Sequence, residues 1–124
     1  ADRIALVTDA TNAAGQNVTE SILGSRKNGI KVIVEDGVAK LPDRQSFAGS
    51  VATTDRLVRT MHKLAEVKLV DAVRMATLTP ARIIGFDNTK GSIAPGKDAD
   101  IILFDSDINV KRTIIGGKTV YTNE

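Results

Sequence analysis

The chain has no cysteine and a single histidine, His62, in 124 residues. Without cysteine there are no disulfides and no thiolate metal sites. One imidazole is too few for a self-contained multi-histidine metal centre. Aromatic residues make up only 3% of the chain and tryptophan is absent, so the core must be mostly aliphatic. An excess of one charge is lacking too: 17 Lys and Arg stand against 15 Asp and Glu, for a net charge of +2. The densest basic spot, Arg26-Lys27, has no aromatic neighbour, which argues against a nucleic-acid surface. No apolar run approaches the ~20 residues of a membrane span. No signal peptide is visible, and the expected location is cytoplasmic. The first residue is Ala1 rather than Met, with an apolar run close behind, and the expectation is a piece of a longer chain.

What is present suits one ordinary domain by length, with 42% hydrophobic residues to build a core. Ile4-Ala5-Leu6-Val7 predicts a short strand buried on both faces. Asp9 comes directly after it, as a carboxylate at the rim of a rigid element. In a (β/α)8 barrel that rim carries the chemistry. The competing reading is that Asp9 caps a turn with help from the Thr8 and Thr11 hydroxyls.

Asn12 to Gln16 is a small-residue loop, and Val18 to Leu23 a short extended segment. Lys31 to Glu35 and Val38 to Leu41 flank Asp36-Gly37, which predicts a hairpin. Pro42 to Ser46 is a polar loop. Thr53 or Thr54 starts a helix expected to run to about Glu66, with Leu57, Val58, Met61, Leu64 and Ala65 on its buried face. His62 falls beside that stripe, as a surface or boundary residue. A second helix is predicted over Val70 to Leu78, with Met75 in the core. A third begins at Thr79-Pro80 and stops at Gly85. Gly91, Pro95 and Gly96 then punctuate a loop, followed by a strand over Ala99 to Phe104. Val110 to Ile115 and Thr119 to Tyr121 form a last hairpin across Gly116-Gly117. One parallel-type strand cannot close a barrel, and these helices need more sheet to cover.

The run Lys90-Gly91-Ser92-Ile93-Ala94-Pro95-Gly96-Lys97-Asp98-Ala99-Asp100-Ile101-Ile102 resembles the segment that closes metal-dependent amidohydrolases. Three further stretches narrow the match. They are Val7 to Thr11 with Ala13-Ala14-Gly15, Phe47-Ala48-Gly49-Ser50 with Thr54, and Arg74 to Arg82. In order and spacing they resemble the N-acetylglucosamine-6-phosphate deacetylase family, from the eighth barrel strand onward. The fold class this implies is α/β. Residues 1–86 would form the C-terminal end of a (β/α)8 catalytic barrel, comprising its last strand, a hairpin insertion over residues 31–41 and the terminal helices. Residues 87–124 would be strands of a small β-sandwich domain.

The resemblance also implies a reaction: hydrolysis of the acetamide of N-acetylglucosamine 6-phosphate to glucosamine 6-phosphate and acetate. The substrate is a small amino-sugar phosphate, with no nucleic acid or membrane as partner. Asp9 matches the family's proton-transferring aspartate. Phe47, Ala48 and Gly49 match the segment lining the sugar pocket, where Gly49 allows close backbone approach. The family usually has leucine where Phe47 stands, and a compact Asp-Gly turn in place of Pro42 to Ser46. Arg82 lies in a family motif but is read as packing its helix against the sheet. Thr8 and Thr11 are candidates to orient Asp9.

The family's divalent metal, of zinc or iron type, is held by a glutamate and two histidines with no counterpart here. Its ligands are therefore expected outside this chain, in a missing N-terminal part of the same protein. The chain alone is expected to be inactive, and the whole protein to be a homo-oligomer. Two other readings stay open: an amidohydrolase acting on a cyclic amide or by deamination, and a non-catalytic stand-alone β-rich module.

Overall fold

The computed structural model describes residues 1–123. They fall into two packing units, residues 7–54 and residues 1–6 with 55–123.

The unit of residues 7–54 is built on a three-stranded antiparallel meander, β1 (Glu20–Leu23), β2 (Ile30–Glu35) and β3 (Val38–Lys40). The β2–β3 connection is the expected Asp36-Gly37 turn, with φ of 53° and 73°. Two positive φ values in a two-residue loop match the right-handed twist of the flanking strands. β1 pairs with β2 from Glu20↔Ile33 to Leu23↔Ile30, and β3 pairs with β2 from Ile33↔Lys40 to Glu35↔Val38. Ala13, Val32, Ala39 and Ala48 are its buried apolar residues, and Thr11 is buried with them. This core is made of small side chains.

In the other unit, three helices precede a second antiparallel meander. The helices are α1 (Thr54–Lys63), α2 (Leu69–Ala76) and α3 (Leu78–Ile83), and the strands are β4 (Ile101–Phe104), β5 (Val110–Ile115) and β6 (Lys118–Thr122). Val58, Ala72 and Ile108 form the core, with Leu6, Met61, Val67, Val73 and Ala76 packed around it. The turn that carries Ile108 is drawn onto α1 by Arg59. Its guanidinium donates to Asp107 O and Ile108 O, both at 2.8 Å. The Asp105 carboxylate accepts the N–H groups of Asp107 and Asn109 at 2.9 Å. These bonds, that from Asn109 first, lower its pKa.

Here the structure departs from the sequence-based expectations in two places. Ile4 to Val7 joins no ladder among the described residues, and Val7 is 75% exposed. A parallel strand exists by bonding to neighbours, and here the Leu6 N–H instead donates to Met75 O at 2.9 Å. The first helix ends at Lys63 rather than near Glu66, where Glu66 adopts a left-handed φ of 55°. Leu64 and Ala65 are therefore exposed rather than on the buried face. Residues on either side of position 86 share one packing unit. Lys90 bridges Asp98 at 2.9 Å and Asp100 at 2.6 Å, and Gly91 lies so close to Leu78 and Ala81 that a Cβ would clash there. The ion pairs brace the closing segment internally, and the close approach at Gly91 sets it against α3.

Candidate active site

Asp9 is exposed and adopts a left-handed conformation, φ 46°. That region is uncommon for residues other than glycine, and a short polar side chain such as aspartate tolerates it best. The conformation is fixed from one side. Ala10 and Ser50 form an isolated parallel bridge. Within it the Ser50 N–H donates to Asp9 O at 2.8 Å, and the Thr11 N–H donates to Ser50 O at 2.8 Å. Thr11 is buried, and its Oγ1 accepts the Ala13 N–H at 3.3 Å, closing the turn that follows.

The segment leading into Ser50 is the other half of the candidate site. Phe47 pairs with Lys40 in an isolated antiparallel bridge, and the Ala48 N–H donates to Ala39 O at 2.9 Å. Ala48 is thereby buried while Phe47 is 75% exposed. Gly49 follows with φ 77°. The four candidate residues, Asp9, Phe47, Ala48 and Gly49, thus belong to one small region of residues 7–54, joined through Ser50. Sequence reading includes Ser50 in a motif but gives it no role in the site. Its contribution is made by the backbone N–H and C=O, which leave no trace in residue type.

Lys40, which faces Phe47 in the bridge, is already paired. The Lys40 ammonium donates to Glu35 and Asp36, each at 3.1 Å, and Arg44 bonds Glu35 at 3.0 Å. The Lys40 bond, aided by Arg44, lowers the Glu35 pKa, and Glu35 in turn raises that of Lys40. Arg82 does not pack against a sheet as expected. It is exposed, within 3.7 Å of Asp2 and 3.9 Å of Asp87.

Among the described residues no three His, Asp or Glu side chains are grouped to hold a metal ion. His62 Nδ1 lies 2.9 Å from Val67 O, so that nitrogen is engaged at the end of α1. The residues present do not by themselves fit a metal centre.

The Amidohydrolase family model matches residues 2–120, and the chain belongs to that family, whose members are generally metal-dependent. Its relatives narrow the class. An Escherichia coli K12 protein provisionally named N-acetylgalactosamine-6-phosphate deacetylase is 37% identical over 117 residues, 94% of this chain and 67% of that protein. The crystal structure of N-acetylglucosamine-6-phosphate deacetylase from Pasteurella multocida superimposes with a TM-score of 0.89 at 31% identity, covering 98% of this chain and 31% of that one. The deacetylase of Mycobacterium smegmatis, with one aspartate changed to alanine and in complex with N-acetyl-D-glucosamine-6-phosphate, gives a TM-score of 0.83 at 30% identity. The chain spans 31% of each of these two solved relatives.

Proposed function

We propose that this chain carries the proton-transferring carboxylate and one wall of the sugar pocket of an N-acetylglucosamine-6-phosphate deacetylase. The observation that carries the reading is the Ala10↔Ser50 bridge, which joins Asp9 to the Phe47-Ala48-Gly49 segment. A carboxylate that is exposed, and held by its own backbone rather than by an ion pair, is available to a substrate. In the wider fold, residues 1–86 would belong to a (β/α)8 barrel and residues 87–124 to a small β-sandwich.

The chemistry balances around one carboxylate. Water adds to the acetyl carbonyl carbon and gives a proton to the Asp9 carboxylate. The carbon–nitrogen bond then breaks, and the same proton passes from Asp9 to the departing nitrogen. The acetic acid so formed gives its proton to the amine, and acetate and the ammonium form of glucosamine 6-phosphate are the products. The proton is needed because an amide nitrogen leaves poorly as an anion. The exposed Phe47 ring would border the sugar, and Gly49 would let it approach the main chain. The family's divalent metal, which would activate the water and polarise the carbonyl, is assigned to ligands outside this chain.

The test is Asp9→Asn in the intact protein, which keeps size and shape but cannot accept the proton. General acid–base catalysis contributes roughly 10² to 10⁴ in rate, so kcat should fall by about that factor while KM changes far less. Steady-state kinetics on N-acetylglucosamine 6-phosphate and on its C4 epimer, N-acetylgalactosamine 6-phosphate, provide the measurement. A near-normal kcat in the variant would return Asp9 to a turn residue. Turnover of the epimer alone would move the substrate assignment and leave the mechanism standing.

A further inference from the structure

We infer that Gly49 is a positioning residue for Asp9, acting through the absence of a side chain. This rests on the catalytic reading of Asp9 given above. A Cβ at Gly49 would stand 2.8 Å from Thr11 Cγ2 and 3.1 Å from Asp9 O. The first distance cannot be accommodated without movement, and the second is tighter than ordinary packing allows. The following residue, Ser50, donates its N–H to that same Asp9 carbonyl oxygen at 2.8 Å and accepts the Thr11 N–H at 2.8 Å. The Gly49-Ser50 strip therefore lies directly against the backbone on both sides of Ala10. Only a glycine allows the bridge to close at this separation.

The left-handed φ at Asp9, 46°, sets where its carboxylate points. Both of its neighbours in the notch, the Thr11 methyl and the Asp9 carbonyl, are tied to that turn by the bridge. A methyl group added at Gly49 pushes on the turn itself. Gly49 also has φ 77°, where a side chain is strained whatever the space. The effect on a reaction that needs a proton acceptor in one place is large, since a misplacement of about 1 Å can cost about 10²-fold. In this account Gly49 does more than let the sugar approach the main chain. It sets the aim of the carboxylate across the turn.

The two roles separate in kinetics. The experiment compares Gly49→Ala, and Gly49→Ala combined with Thr11→Ser, with the unaltered intact protein, using N-acetylglucosamine 6-phosphate as substrate. Thr11→Ser removes the Cγ2 methyl and keeps the hydroxyl that receives the Ala13 N–H. The expected result is a kcat lower by roughly 10- to 100-fold in Gly49→Ala, with KM within a few-fold of normal. Adding Thr11→Ser should restore much of the lost kcat. A raised KM with unchanged kcat would overturn the inference, because Gly49 would then act only by contact with the sugar. A loss of kcat untouched by Thr11→Ser would overturn it too. If Gly49→Ala yields no folded protein, the double variant decides alone: recovered fold and turnover support the inference, and continued failure rejects it. Failure of the underlying reading looks different, since Asp9→Asn would then retain its activity.

Discussion

Asp100 shows how single side chains in the closing segment do structural rather than chemical work. Its carboxylate receives the Lys90 ammonium at 2.6 Å and the Gly116 N–H at 2.9 Å. One residue therefore ties the start of β4 to the β5–β6 turn and to the loop after α3. The Lys90 bond first, and then the Gly116 bond, lower the Asp100 pKa below its usual 3.8. Lys90 is raised in return, chiefly by Asp100 and then by Asp98. A carboxylate with a depressed folded pKa adds stability that is present above the unfolded pKa and is lost as pH falls through the folded one. Asp100→Asn should therefore lower the urea midpoint more at pH 7 than in acid below the folded pKa, where the carboxyl is protonated in the folded and unfolded chain alike. The pairing is at the surface and partly screened, so added salt should narrow the difference. Equal shifts of the midpoint at both pH values would mean that the ion pair contributes nothing.

Two hairpins share one turn geometry. Asp36-Gly37 and Gly116-Gly117 each place both loop residues at positive φ. A left-handed conformation costs a residue with a Cβ about 1–2 kcal/mol, so Gly37→Ala should destabilise the unit of residues 7–54 by about that amount in denaturant titrations. A neutral effect would imply a turn that rearranges freely. These turns were legible in the sequence because their determinants are local: two residues and the alternation beside them. The helices were legible for the same reason, apart from the last turn of α1, where Glu66 rather than the apolar stripe decides the end. The grip of Arg59 on Asp107 and Ile108 was not legible. Neither was the junction of Asp9 with Gly49 through Ser50. Both join segments far apart in the chain, and the second is made by backbone groups that every residue carries. Among the candidate residues, Asp9 is marked by its place after an apolar run, whereas Phe47, Ala48 and Gly49 come from resemblance alone. Ile4 to Val7 read as a buried strand because its residues are apolar, yet apolarity names a preference and not the neighbours that would satisfy it.

For the molecule as a whole, that unmet preference has a measurable consequence. Ile4 and Val7 are exposed near the start of the chain, Ile83, Ile84 and Phe86 at the end of α3, and Ile102, Val120 and Tyr121 on the second sheet. Isolated exposed apolar residues are normal on a protein surface, but neighbouring ones form patches that drive association. The three at the end of α3 lie within four consecutive positions, from Ile83 to Phe86. The chain also spans only 31% of the solved deacetylases it matches, and its one histidine has a ring nitrogen engaged by Val67 O. The 124-residue chain alone is therefore expected to self-associate and to give no turnover of N-acetylglucosamine 6-phosphate with added zinc or iron. Light scattering across a concentration series, with the deacetylase assay on the same samples, tests both halves. Monomers at every concentration would show that the apolar groups are too dispersed to associate. Turnover above blank would show that this segment assembles a complete catalytic centre, and the assignment of the metal ligands to residues outside it would fall.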